Sequence, residues 1–162
     1  MTETEERLHS VCFTGHRPEK LTRPEEAIRR DLEKQIRLAV ADGANIFISG
    51  MARGVDIWAA QIVLRLRGEG YRIRLICACP YDGFDTGWSR EWKQQYRETL
   101  DACDLVRYIS AGYSRSCFQL RNKWMVDHAA KVIAVFDGEK SGTKNTIDYA
   151  ERVGVPVIRI EG

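Results

Sequence analysis

Short apolar runs alternate along this chain with longer segments in which apolar residues recur every three or four positions. The apolar runs predict six strands, at 11–13, 46–48, 71–79, 105–109, 132–136 and 157–160. The periodic segments predict five helices, at 24–43, 56–67, 88–100, about 120–128 and 145–153. Strands that alternate with helices are typical of a mostly parallel sheet covered on both faces. We therefore expect an α/β fold of three layers in a single domain, 1–162, with 1–8 as a flexible segment.

One predicted helix carries a stripe of large side chains at four-residue spacing, namely Trp88, Trp92, Tyr96 and Leu100. Such a stripe is typical of a face that packs on the core. Trp88 lies at the junction with the preceding loop, so stacking on a nucleobase is its alternative role.

Composition limits the choice of function. The chain has 162 residues, of which 44% are hydrophobic and 30% charged, as in an ordinary globular domain. No apolar run approaches the roughly 20 residues that span a bilayer, and the first ten residues are acidic and polar. We expect a cytoplasmic protein without a membrane partner.

The charge and cysteine counts narrow the partners further. Lysine and arginine total 25 against 23 acidic residues, a net charge of +2, which does not favour a dedicated duplex-DNA protein but leaves a local basic groove open. Five cysteines are an odd number, and Cys77 and Cys79 lack the two-residue gap of zinc knuckles. We expect buried, reduced thiols, no metal and no required cofactor. A homo-oligomer is compatible with the sequence.

The segment 49–56, Ser-Gly-Met-Ala-Arg-Gly-Val-Asp, follows a buried strand and precedes a helix. A glycine-bearing turn of this kind presents free backbone N–H groups and a positive helix end, which suit a phosphate. Gly50 and Gly54 are expected to use left-handed torsions and to approach a ligand closely. Ser49 adds a hydroxyl and Arg53 a charge. Asp56 has two open interpretations, a helix cap or an acceptor for a sugar hydroxyl.

Two further segments are predicted at the same sheet edge. The first strand ends in Thr14, Gly15, His16 and Arg17, which offer a hydroxyl, an imidazole and a guanidinium to a phosphate or ribose; a tight turn with solvated side chains is the alternative. The fifth strand leads to Ser141, Gly142 and Thr143, either a second phosphate cradle or an ordinary helix cap.

Arg121 lies after the fourth strand, again near this edge. It is a candidate for holding a phosphate or sugar, with a surface salt bridge as the alternative. Neither the dinucleotide fingerprint G-x-G-x-x-G nor a Walker loop is present, so the chain is not an ordinary ATPase.

The segment 49–56 resembles the S-G-x-A-x-G-[IV]-D motif of the DprA/Smf proteins. With residues 13–18, Arg121-Asn122 and Gly142-Thr143, it is similar to the SLOG superfamily, which includes the Lonely Guy nucleotide phosphoribohydrolases. The combination looks like the YpsA-type branch over about 11–153. The resemblance implies a Rossmann-like fold and a nucleotide-derived ligand.

The resemblance to Lonely Guy enzymes implies a catalytic place for Arg121. Those enzymes also use a glutamate three residues after the threonine of a glycine-rich loop, and Thr146 stands there in this chain. Cleavage of an N-glycosidic bond passes through a cationic sugar that a carboxylate stabilises, which threonine cannot do. Asp56, Asp148 and Glu151 are the nearby carboxylates that the sequence offers instead.

Three functions are thus open. The first is binding of a small nucleotide-derived ligand, a nucleoside phosphate or an ADP-ribose-like molecule, as a sensor or regulator. The second is hydrolysis of such a ligand at its N-glycosidic bond. The third is a DprA-like module for single-stranded nucleic acid, which needs a basic groove and stacking aromatics.

Overall fold

The computed structural model describes residues 2–162. Six strands form one sheet in which every neighbouring pair is parallel, with the order β4-β3-β2-β1-β5-β6. The strands are β1 (Ser10–Gly15), β2 (Ile46–Ser49), β3 (Arg74–Cys79), β4 (Leu105–Tyr108), β5 (Lys131–Phe136) and β6 (Val157–Glu161). The α/β prediction is therefore confirmed, and the sheet is wholly parallel.

Helices cover both faces of the sheet. They are α1 (Glu3–Leu8), α2 (Glu25–Ala41), α3 (Val55–Gly68), α4 (Arg90–Ala102), α5 (Cys117–Asp127) and α6 (Gly142–Val153), with a 3-10 turn at Pro18–Lys20. None of the helices in residues 2–162 is long and apolar enough to cross a membrane.

The sheet separates the hydrophobic core into two clusters, one on each face. On one face, Phe13 and Phe47 stack with ring centroids 5.9 Å apart under α2, α3 and α4. On the other face, Cys12 and Ile48 pack under α5 and α6. Successive strand residues point to opposite faces of the sheet. Because helices cover both faces, the central strands are apolar on both, as in other parallel sheets.

The sequence-based boundaries differ from the structure at several helices. Residues 1–8 were expected to be flexible, and the described part contains α1, where Thr2 and Glu5 form a reciprocal capping box. Helix α4 begins at Arg90, because the Ser89 side chain caps it, so Trp88 lies outside it. Helix α5 begins at Cys117 and α6 begins at Gly142, whereas the sequence predicted their starts at about 120 and at 145.

The chain runs outward from β1 to β4 and then returns to place β5 on the other side of β1. The loops after β1 and β5 therefore diverge at the carboxyl edge of the sheet. In open α/β sheets such a reversal leaves a crevice in which ligands bind.

Candidate functional site

A cleft of about 320 Å³ opens at this reversal. The loop after β1, the loop between β2 and α3, the inner face of α5 and the first turn of α6 form its walls. Its lining residues are Thr14, Gly15, His16, Arg17, Lys20, Ala52, Asp56, Phe118, Arg121, Asn122, Ser141, Gly142 and Thr143. The three segments predicted to share one edge of the sheet do meet there.

The predicted residues fall into two groups. Those that line the cleft are Thr14, Gly15, His16, Arg17, Asp56, Arg121, Gly142 and Thr143. The remaining four are Ser49, Gly50, Arg53 and Gly54, which belong to the loop between β2 and α3. They lie behind or beside the cleft and hold this loop in place.

Ser49 is fully buried and turned away from the cleft. Its hydroxyl donates to the main-chain carbonyl of Asp56 over 2.8 Å and accepts from the Met51 N–H over 3.2 Å. It therefore ties the end of β2 to the start of α3. Arg53 pairs with Glu19 through Nη2 at 3.1 Å, which links this loop to the 3-10 turn.

The loop passes through two left-handed positions, Met51 at φ 63° and Gly54 at φ 90°. The prediction of a left-handed torsion was right for Gly54 and wrong for Gly50. A Cβ on Gly54 would lie 2.9 Å from the His16 carbonyl and 2.9 Å from Pro18 Cδ. Gly54 thus permits close contact between two protein loops.

Arg121 projects from α5 into the floor of the cleft and is only 5% exposed. Its Nε donates to Asn122 Oδ1 over 2.8 Å, and its Nη1 donates to the Gly50 carbonyl. Burial lowers the pKa of the guanidinium, while the charge of Asp56 opposes that shift. Both hydrogen-bond acceptors are neutral, so among the residues that line the cleft Asp56 alone offers this guanidinium a negative charge.

Asp56 is the second residue of α3 and is 5% exposed. Helix capping by its side chain was one interpretation and is wrong, because Gly54 is the N-cap. Its Oδ2 accepts from the Ala52 N–H over 3.3 Å, and among residues 2–162 no partner reaches Oδ1. Burial raises the pKa of this carboxyl to about 6, although Arg121 and the Ala52 N–H act in the opposite direction.

The first turn of α6 forms the opposite wall. Ser141 is the N-cap, and its hydroxyl accepts from the Lys144 N–H over 3.1 Å. Gly142 and Thr143 follow, at the positions where a helix supplies no acceptor for the backbone N–H. Thr146 turns inward and donates to the Gly142 carbonyl over 2.9 Å, so the position of the enzyme-type glutamate does not face the cleft.

His16 is buried, and its Nε2 lies 2.9 Å from Asp137 Oδ1 and 3.2 Å from the Asp137 nitrogen. A protonated Nε2 donates to the carboxylate, whereas an unprotonated Nε2 accepts from the N–H, so Asp137 serves both forms. The Glu139 N–H first, and His16 with it, hold the pKa of Asp137 below its ordinary value. Asp137 thus fixes the ring that the sequence assigned to the ligand.

Sequence reasoning missed two residues of the cleft that carry chemistry. Lys20 ends the 3-10 turn and adds a cation beside Arg17. Phe118 lies one helical turn before Arg121, with the guanidinium carbon 6.0 Å from the ring centroid. For Phe118 the available signal was its spacing of three residues from Arg121, because residues at that spacing share a helix face.

The arrangement defines a Rossmann-like α/β protein with a cleft lined by polar and charged side chains at its topological switch point. The chain matches the model of the YspA SLOG family over residues 11–153, and it belongs to that family. The resemblance to the SLOG superfamily and its YpsA-type branch is therefore confirmed.

Known relatives are consistent with this assignment. The uncharacterised SPbeta prophage-derived protein YoqJ of Bacillus subtilis is 35% identical over 118 residues, which cover 65% of this chain and 69% of YoqJ.

Two solved structures of DNA processing protein A share the fold. The Streptococcus pneumoniae protein has a TM-score of 0.69 at 18% identity and covers 97% of this chain; this chain spans 52% of that protein. The Helicobacter pylori protein, described with its single-stranded DNA binding mode, has a TM-score of 0.67 at 19% identity, covering 99% of this chain and 68% of its own. At these identities the likeness shows the fold alone.

Proposed function

We propose that this protein binds a small nucleotide-derived ligand, a nucleoside phosphate or an ADP-ribose-like molecule, in the cleft, and that it acts as a sensor or regulator. One observation carries the proposal. The buried guanidinium of Arg121 and the first turn of α6 open onto the same cleft. A buried cation and free helix N–H groups are together a favourable environment for a phosphate.

The other side chains of the cleft support the same ligand. Arg17 and Lys20 add two cations at the rim, so the lining holds three basic side chains against one carboxylate. Asp56 lines the cleft, and its buried Oδ1 has no hydrogen-bond partner among residues 2–162, so a ribose hydroxyl is a suitable donor for it. A ligand with both phosphate and sugar hydroxyls satisfies both groups at once.

Thermal stabilisation by defined compounds tests this proposal. AMP and ADP-ribose are expected to raise the melting temperature at millimolar concentration, since a ligand at 100 times its Kd adds about 2.7 kcal/mol to the native state. Adenosine, without phosphate, is expected to have little effect. Absence of any shift with all phosphate compounds contradicts the proposal.

Arg17→Ala gives the sharper version of this test. Arg17 is largely exposed, and its one ion pair within residues 2–162, with Glu19, spans 3.8 Å, so its loss leaves the fold intact. We expect affinity for AMP to fall about three- to tenfold, as for loss of one solvent-exposed charge-assisted contact. Arg72→Ala is the matched control, because Arg72 is exposed just before β3, at the opposite edge of the sheet.

A second candidate is hydrolysis of the N-glycosidic bond of the same ligand, and the position of Asp56 favours it. This carboxylate shares the cleft with Arg121. It would take the role of the glutamate whose place Thr146 occupies in this chain. An ionised Asp56 would stabilise the cationic sugar of the transition state. Release of free base from AMP, abolished by Asp56→Asn with AMP binding retained, is the expected result; release that survives this substitution contradicts the assignment.

A further inference from the structure

Three aromatic rings lie together beside the cleft, and the phosphate-binding groups leave them without a role. Tyr81 follows β3, Tyr113 lies in the loop before α5, and Phe118 is the second residue of α5. The Tyr81 ring centroid is 6.1 Å from that of Tyr113 and 6.4 Å from that of Phe118. We call these three residues the aromatic platform.

The platform is exposed to a degree that packing does not explain. Phe118 is 40% exposed and Tyr113 is 71% exposed. Large aromatic side chains gain most when they bury their rings, so two exposed neighbours indicate a surface that a ligand covers. Tyr81 anchors the group, because its other side packs against Phe84 at 6.0 Å, at the margin of the core.

Among residues 2–162, no aromatic ring stacks in parallel on Phe118 or Tyr113, although the Arg121 guanidinium lies over the Phe118 ring with its carbon 6.0 Å from the centroid. Tyr81 meets Tyr113 at an interplanar angle of 81° and Phe118 at 70°, so both contacts are edge-to-face. A planar group that lies flat on Phe118 or Tyr113 therefore displaces no parallel ring among residues 2–162.

Phe118 connects the platform to the cleft. It lines the cleft itself and lies three residues before Arg121 on the same helix face. Because Phe118 and Arg121 line the same cleft, a ligand whose phosphate lies near Arg121 can extend past Phe118 to the other aromatic rings. Nucleobases stack on such rings with little dependence on sequence.

We propose that the aromatic platform binds the base of the ligand, with Phe118 and Tyr113 as its stacking residues. This inference rests on the proposed function, because it takes the phosphate to lie in the cleft. The base belongs either to a free nucleotide or to an exposed nucleotide of a single strand, which present the same chemistry. A purine offers the larger face and binds more tightly than a pyrimidine.

Trp88, the residue that the sequence offered for stacking, does not take this role. Its ring is half-buried and meets Phe84 at 5.0 Å and Tyr96 at 5.4 Å. It packs on the core just before α4 and does not line the cleft.

Calorimetric titrations of wild type, Phe118→Leu and Tyr113→Leu with AMP and with ribose 5-phosphate test the proposal. Both compounds carry the phosphate and sugar, and only AMP carries the base. Each substitution is expected to weaken AMP binding at least fivefold, because stacking contributes about 1–3 kcal/mol per base. Binding of ribose 5-phosphate is expected to stay within twofold. Tyr71→Leu, at the opposite edge of the sheet, is the matched control.

The outcomes separate the two proposals. If neither compound binds the wild type, the proposed function fails and the platform with it. If ribose 5-phosphate binds and AMP gains nothing from its base, or if both lose affinity equally in Phe118→Leu, the cleft stands and the platform is overturned. Unchanged melting temperatures of both variants establish that a loss of affinity is not a loss of folding.

A ten-residue deoxyadenylate, titrated in parallel, identifies the source of the base. Tighter binding than AMP, with strong salt dependence and the same loss in Phe118→Leu, assigns the platform to a single strand. Tighter binding of AMP, again lost in Phe118→Leu, assigns it to a free nucleotide. Either result supports the platform. Affinities for AMP and for the oligonucleotide that are the same in Phe118→Leu as in wild type contradict it.

Discussion

Arg121 donates a hydrogen bond from Nη1 to the main-chain carbonyl of Gly50, a residue 71 positions earlier in the chain. This contact joins α5 to the loop after β2 and fixes the guanidinium at the floor of the cleft. A Cβ on Gly50 would lie 2.9 Å from Arg121 Nη1 and 2.9 Å from Asp56 Oδ2. The glycine therefore keeps open the space in which the two charged groups of the cleft approach each other.

Gly50→Ala is expected to displace Arg121 or Asp56. Overpacking of this kind costs about 1–3 kcal/mol, which lowers the melting temperature of a domain of this size by about 2–12 °C. Calorimetry or thermal denaturation measures the shift, and AMP binding is expected to weaken in parallel. Gly68→Ala is the control, since a Cβ at this position near the end of α3 would meet no atom of the described residues 2–162 within 4 Å. Equal effects of the two substitutions would contradict the assigned role of Gly50.

Asp56 is expected to make stability depend on pH. Because its pKa is raised to about 6 in the native state, the native protein binds a proton between about pH 4 and 6 that the unfolded chain has released. Its contribution to stability is therefore complete below about pH 4 and is lost as the pH rises through 6. Asp56→Asn removes this dependence.

Denaturant titrations of Asp56→Asn and wild type at pH 4.5 and pH 8 measure this effect. The variant's stability relative to wild type is expected to increase by on the order of 2–3 kcal/mol between the two pH values. The exposed carboxylate variant Glu26→Gln is the control. A difference between Asp56→Asn and wild type that is constant with pH contradicts a raised pKa for this buried carboxyl.

Cys103 is expected to be the most reactive of the five thiols. The hydrogen bond from the Cys77 thiol lowers the pKa of Cys103 to about 7, although partial burial acts in the opposite direction. Burial raises the pKa of Cys12 and, to about 11, that of Cys79. Because the thiolate is the nucleophile, alkylation is fastest at Cys103.

Mass spectrometry after brief treatment with iodoacetamide checks this order. We expect the first label at Cys103, at a rate that rises through about pH 7, and almost none in Cys103→Ser. Cys117→Ser, which removes a buried thiol, is expected to leave labelling unchanged. Faster modification of any of the four buried cysteines is the contrary result.

The strands and most helices could be predicted because their apolar periods differ clearly. Helix α1 was not predicted, because none of its side chains is buried and it therefore has no apolar stripe. The capping pair Thr2 and Glu5 was its local signal. The start of α6 was predicted at 145, because Gly142 and Thr143 are residue types that are common in loops. In the structure Ser141 caps the helix, so α6 begins at Gly142.

The candidate site was predictable as far as its position follows from topology. Residues at the carboxyl ends of β1 and β5 meet because the strand order reverses between them. Ser49 and Gly54 were assigned to the ligand but hold protein loops together. A missing Cβ permits close approach of a ligand and of another loop equally, and the sequence does not distinguish the two.

Phe118 shows the opposite limit. It lies before the helix predicted at about 120–128, and only the structure reveals that α5 includes it and that its ring is exposed beside Arg121. Exposure depends on which helix face meets the sheet, and α5 has a weak apolar stripe because Arg121 and Asn122 are themselves buried.

The proposed function requires a phosphate to bind at the first turn of α6, opposite Arg121. Backbone amide NMR of the labelled protein during titration with AMP measures this directly. We expect the largest shifts at the amides of Gly142 and Thr143, with small shifts at Gly154 at the other end of α6. Saturable binding that leaves the Gly142 and Thr143 amides unmoved would contradict it.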